Sequence, residues 1–163
     1  MEFLDARRLT GPNVLWNRAG AILDIACTAK EADRLIPYCE GQVRRMLDAV
    51  GWQAESICHV RLAGGVSIAF SAPIDALYAA SALNEWAWSS CDAEFNAADR
   101  PDFDEKAAEL RAAIDEEVNP PLLRLERAAT EHGVAFLWDD DDVSVGHGGG
   151  SETWPFRSLP DPA

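Results

Sequence analysis

From Phe3 to Leu9 apolar and polar positions roughly alternate, with Leu4, Ala6 and the stems of Arg7 and Arg8 setting a period of two, so this segment reads as a strand. Gly11-Pro12-Asn13 is turn punctuation, since Gly and Asn tolerate positive φ and Pro presets its own. Ala21 to Cys27 is a second apolar strand interrupted by Asp24, which predicts a hairpin. Its connection, Thr10 to Arg18, is longer than a tight turn needs. Thr28-Ala29-Lys30-Glu31 has the form of a capping box. Pro37 then predicts a short first turn before a main helix to about Val50. Cys39, Val43, Met46, Leu47 and Val50 recur at helical spacing, Gly51 suits the position after the helix, and Arg44 and Arg45 point away from the core.

Ile57 to Leu62 and Val66 to Ser71 flank Gly64-Gly65 and predict a second hairpin. Pro73 is placed as the first residue of a helix reaching about Ser90. That helix is apolar almost all round, from Ile74 through Leu77, Leu83, Trp86 and Trp88, so it is expected to be buried on more than one side, within the domain or by another subunit. Cys91 to Asp102 reads as a loop. Asp102-Phe103-Asp104-Glu105 then opens a helix whose stripe is Phe103, Ala107, Leu110, Ile114 and Val118. Asn119-Pro120-Pro121 breaks it, and a further segment runs to Gly133 with Leu122, Leu125 and Ala129 inward. Val134 to Trp138 is a last strand, Asp139 to Asp142 a turn, and Val143-Ser144-Val145 is placed to pair back. The order β-β-α-β-β-α-α-β predicts an α+β fold, a two-layer arrangement of a mostly antiparallel sheet built from hairpins and covered by helices. Residues 1–146 are read as one domain and residues 147–163 as a Gly- and Pro-containing tail without periodicity.

Composition narrows the function. The 163 residues carry 14 Lys and Arg against 28 Asp and Glu, a net charge of −14. That balance argues against a general nucleic-acid binder or an anionic-membrane binder, both of which need clustered cations. No apolar run reaches the roughly 18 residues of a membrane span. Met1-Glu2-Phe3-Leu4-Asp5 lacks the basic start and apolar centre of a secretory signal, so a cytoplasmic protein is expected. Cys27, Cys39, Cys58 and Cys91 show neither a zinc-site spacing nor a dense disulfide framework, and are read as buried free thiols. Charge is uneven along the chain: residues 1–80 hold 9 acids and 8 bases, residues 81–163 hold 19 acids and 6 bases. If any face receives an anionic group, it is expected to be on the first half.

The long loop of the first hairpin offers Asn13, Trp16 and Arg18, an amide, a flat aromatic and a fork-shaped cation, with Arg7 and Arg8 on the preceding strand. These groups suit a charged ligand, while the same turn residues also serve loop geometry alone. Asn84-Glu85-Trp86 places an acid in an apolar helix. It stands either at an exposed edge or, if buried, in an ion pair, for which Arg7, Arg8 and Arg61 are the candidates, and a structural role is favoured over a functional acid. The same helix, with Glu85, Trp86 and Trp88, is a candidate homodimer seam. Asp139 to Asp142 has neither an EF-hand spacing nor a Gly in the required place, and no metal site is expected. Gly146-His147-Gly148-Gly149-Gly150-Ser151 lacks the Lys of a P-loop. His59, His132 and His147 mark no nucleophile–base pair and no G-x-S-x-G occurs, so catalysis by this chain alone and a cofactor are not expected.

Three segments carry a family resemblance: Arg8-Leu9-Thr10-Gly11-Pro12-Asn13 with Trp16, where Val14 stands as a one-residue insertion; Val66-Ser67-Ile68-Ala69-Phe70 before an Ala-rich helix; and Ala128-Ala129, Gly133-Val134, Phe136-Leu137 followed by Val143-Ser144-Val145-Gly146-His147-Gly148. Together they resemble the N-terminal domain of cyanophycin synthetase over nearly the whole chain. That family's insertion between the first helix and second hairpin is absent, and Gly149 to Trp154 replaces its basic stretch. The resemblance implies a non-catalytic accessory or substrate-binding domain for an amino-acid-derived or charged peptide ligand, with a separately encoded ATP-grasp or Mur-type ligase as partner. The rival expectation is a structural homo-oligomer joined through the Trp-bearing helix.

Overall fold

The computed structural model describes residues 1–160. The chain divides into two compact units, Met1–Glu117 and Val118–Ala163. In the first, β1 (Glu2–Leu9), β2 (Gly20–Ala26), β3 (Ile57–Leu62) and β4 (Gly65–Ser71) form an antiparallel sheet in the order β1-β2-β4-β3. The register decides which face is buried. Leu23 stands opposite Ala6 and Ile68, and Ile25 opposite Phe3 and Val66, so one face gathers the apolar positions. The other face carries Asp24 opposite Asp5 and Ser67.

Two helices cover the apolar face. α1 (Ala29–Ala49) packs on β3 and β4, and α2 (Leu77–Asn96) packs on β1 and β2 and against α1. Leu35, Ile36 and Cys39 of α1 join Leu23, Ile25, Val66, Ile68 and Cys91 in one buried cluster. Thr28 caps α1 through the Glu31 N–H, and the Glu31 carboxylate reaches back to the Thr28 N–H at 2.7 Å, the reciprocal arrangement read from the sequence. α1 does not break at Pro37. The ring lies on the exposed side, so the carbonyl it leaves unpaired faces water while the buried stripe runs on from Ala32 to Leu47.

α3 (Phe103–Glu117) packs on α2. The Asp102 side chain accepts the Glu105 N–H at 2.8 Å and starts α3 where the sequence placed it. Ala107 and Leu110 are buried as expected, whereas Val118 is 50% exposed. Two boundaries of α2 differ from the reading. It begins at Leu77 rather than Pro73, and it continues past Ser90 to Asn96, ending on Ala97 at φ 56°. The extension follows from packing: Cys91 is fully buried and the Phe95 ring meets Tyr38 edge-on at 5.4 Å.

Cys39 and Cys91 form a disulfide from α1 to α2, with a Cα–Cα separation of 6.2 Å, which corrects the expectation of four free thiols. Residues 52 positions apart in sequence gave no spacing from which to read it. Cys27 and Cys58 remain thiols.

In the second unit α4 (Pro120–Glu131) begins at the Asn119-Pro120-Pro121 break, with the Asn119 side chain accepting the Leu122 N–H. β5 (Phe136–Trp138), β6 (Asp142–Val145) and β7 (Glu152–Pro155) make a three-stranded antiparallel sheet in that order. β7 falls within the stretch expected to be an irregular tail, of which residues 161–163 lie outside the described residues. Four residues pairing with β6 are too few to show periodicity, but Trp138 stacks on Phe156 at 5.8 Å and Val143 is fully buried. Gly146 holds φ 97°, and a Cβ there would stand 2.8 Å from the Gly150 carbonyl oxygen.

Candidate functional site

The polar groups of the first hairpin are turned inward on the hairpin itself. The Asn13 amide donates to the Gly11 carbonyl at 3.0 Å and to the Arg18 carbonyl at 3.1 Å. Its Oδ1 accepts the N–H groups of Leu15 at 2.9 Å and Trp16 at 3.3 Å. All four of the amide's hydrogen-bonding directions are thereby used in shaping the loop. Arg7 pairs with Asp24 and, at 2.9 Å, with Asp5, and Asp24 in turn accepts from Ser67. Those carboxylates raise the Arg7 pKa, hydrogen bonding to Asp5 being the largest cause. Arg8 stands on the other side of the strand, 3.9 Å above the Tyr78 ring. Arg18 donates to Ser56 Oγ at 2.7 Å, with Glu55 at 3.8 Å. Trp16 keeps its indole Nε1 buried without an acceptor among the described residues. The five residues are therefore distributed over separate local networks rather than gathered around one point.

Glu85 is exposed, which is the exposed-edge alternative and not the buried acid. Arg7 and Arg61, two of its candidate partners, pair instead with Asp24 and Asp33. The buried polar side chain is the neighbour, Asn84, which is 0% exposed and has both amide atoms without a partner among the described residues. A one-residue shift around a helix is 100°, enough to exchange solvent for core. Trp86 is 4% exposed and meets Phe103 edge-on at 5.7 Å, while Trp88 is half-buried against Phe3 at 6.0 Å. The all-round apolar character of α2 is accounted for by the sheet, α1 and α3 of the same unit.

A different place collects uncommitted chemistry. α1, α2 and the start of α3 enclose a cleft of about 350 Å³. Tyr38, Gln42 and Arg45 project into it from α1 at helical spacing, and Trp86 and Ser90 from α2. The segment Arg100–Phe103 closes the third side. The Cys39–Cys91 disulfide joins the two helices one residue away from Tyr38 and from Ser90. The Arg45 guanidinium lies 3.6 Å from the Phe103 ring centroid and pairs with no carboxylate among the described residues. Arg100, by contrast, is paired with Glu94 at 2.5 Å, and Asp102 is engaged in capping α3. The Tyr38 hydroxyl, the Gln42 amide and the Ser90 hydroxyl likewise hydrogen-bond to no described residue.

The sequence showed Arg44-Arg45 pointing away from the core but not that Arg45 meets Phe103, because their contact joins segments 58 residues apart. The adjacent Arg44 does structural work: it donates to the Gln53 and Glu55 carbonyls at 3.2 and 2.7 Å.

Elsewhere, His59 Nδ1 lies 2.7 Å from Glu40, and Cys58, the next residue along the strand, points to the opposite face. Burial pushes the Cys27 and Cys58 thiols up from their ordinary value. Asp139 is held below the usual carboxylate range by the N–H groups of Asp142 and Asp141. Among the described residues no three His, Cys, Asp or Glu side chains form a metal-holding group, and no helix is long and apolar enough to cross a membrane. No protein-family model matches the chain, and no curated protein matches it.

Proposed function

We propose that this chain is a non-catalytic binding domain for an amino-acid-derived or charged peptide ligand, and that the ligand sits in the α1–α2–α3 cleft. The observation that carries the reading is the contrast in commitment. Asn13, Arg7 and Arg18 of the hairpin are engaged within the protein, whereas Arg45, Gln42, Tyr38 and Ser90 meet in one concavity with their hydrogen-bonding groups unused. A concave site with apolar walls and a few convergent polar groups is the usual form of a small-ligand site. The separation of Cys58 from the His59–Glu40 pair, and the raised thiol pKa values, support binding without chemistry.

The resemblance to the N-terminal domain of cyanophycin synthetase supports an accessory role beside a separately encoded ATP-grasp or Mur-type ligase in the cytoplasm. The test is titration of the ¹⁵N-labelled protein with aspartate- and arginine-containing peptides. Shifts are expected at Gln42, Arg45, Ser90 and the Trp86 indole. Shifts confined to residues 10–18 would move the site back to the hairpin, and no shifts with either peptide would remove the binding reading.

A further inference from the structure

Resting on that reading, we infer that the cleft selects a carboxylate: its ligand is a small acylated amino acid held by its α-carboxylate on Arg45, with an apolar or planar flank against the aromatic wall. The chain carries a net charge of −14, so an anion finds few favourable places on it, yet in this cleft Arg45 has no ion pair or hydrogen bond among the described residues, while the Asp102 carboxylate is held by the Glu105 N–H. Arg100, on the facing side, has Glu94 as its counter-ion. A cationic ligand would meet two guanidinium groups and displace one from its partner, which acts against it.

The donor set fits the same sign. A guanidinium presents donors only, and the Gln42 amide and the Tyr38 and Ser90 hydroxyls are each able to donate to a carboxylate oxygen. Stacking on Phe103 at 3.6 Å fixes the plane of the Arg45 guanidinium before a ligand arrives, so little side-chain freedom remains to be lost on binding. Tyr38, Trp86 and Phe103 supply flat apolar wall, and about 350 Å³ is at the lower end of the roughly 300–1,000 Å³ typical of small-molecule sites. That volume favours a single residue over a length of polymer.

Calorimetric titration of the full chain with three probes tests this: N-acetyl-L-phenylalaninate, its isosteric amide N-acetyl-L-phenylalaninamide, and Nα-acetyl-L-argininamide. The acid is expected to bind at least tenfold more tightly than its amide, and the cation not measurably. Arg45→Gln is expected to lose tenfold or more for the acid, Arg45→Lys to recover part of that loss, and Arg18→Gln to leave affinity unchanged. Arg45 is exposed, so neither substitution threatens folding. Equal binding of acid and amide at the cleft, or preference for the cation there, would overturn carboxylate selection while leaving the binding reading intact. Binding of none of the three would overturn both.

Discussion

The Glu117 carboxylate accepts the backbone N–H of Ala79 at 2.7 Å and that of Tyr78 at 2.9 Å, so the last residue of α3 caps the first turn of α2 across 38 sequence positions. α2 has no cap of its own: Ala76 precedes it and offers no side-chain acceptor. Nearby, Arg111 of the same helix donates through Nε and Nη2 to the Ala49 carbonyl at 3.0 and 2.9 Å and closes the end of α1. α3 thus fastens itself to both core helices through their unsatisfied backbone groups.

Removing this cap by Glu117→Ala is expected to lower unfolding free energy by about 1–2 kcal/mol in urea denaturation. Glu117→Gln keeps an acceptor and is expected to lose less. Burial raises the Glu117 pKa, against the lowering by the Tyr78 and Ala79 N–H groups and Arg8. The folded protein therefore holds this proton more tightly than the unfolded chain. Its contribution is fully present below the ordinary glutamate pKa and declines as pH rises through the elevated folded value. The wild type should thus lose stability relative to Glu117→Gln across that window, and a difference independent of pH would contradict the assignment.

Asn84 is expected to be a source of instability. Its amide is fully buried without a partner among the described residues, so its desolvation is uncompensated. Asn84→Leu, close in volume, should raise unfolding free energy by about 1–3 kcal/mol. A loss of stability would show that the amide has a role inside the core.

The Cys39–Cys91 disulfide spans 52 residues, and closing a loop of that length removes unfolded-state entropy worth about 4 kcal/mol at most. The double substitution Cys39→Ala and Cys91→Ala should lower the Tm and make it insensitive to reductant. Recovery of four alkylated cysteines from the unreduced, denatured protein would contradict the bond.

Asn13→Ala removes four hydrogen bonds from the loop at once. It is expected to destabilise the protein by about 1–3 kcal/mol in thermal or chemical denaturation and to leave binding in the cleft unchanged. A loss of ligand affinity with unchanged stability would return Asn13 to the ligand.

Much of the fold was legible because its signals are local. The Thr28–Glu31 box, the Gly64-Gly65 turn and the Asp102 cap each operate within a few residues, and strand alternation placed β1 to β4 and the antiparallel sheet. The start of α2 was not legible, since its cap is delivered by Glu117 from a distant segment. β7 was not, since four residues that pair with β6 carry no periodic pattern of their own. The hairpin loop was legible as a constructed feature, but a turn-forming Asn and a ligand-binding Asn look alike in sequence. Only the hydrogen bonds of Asn13 separate the two. The cleft was hidden for the converse reason: Tyr38, Arg45, Ser90 and Phe103 converge through tertiary packing.

The most direct measurement is a crystal structure of the protein grown with N-acetyl-L-phenylalaninate. The ligand carboxylate is expected within about 3 Å of the Arg45 guanidinium, which remains stacked on Phe103. An Arg45 side chain paired with one of the protein's own carboxylates, with the ligand bound along residues 10–18 instead, would contradict it.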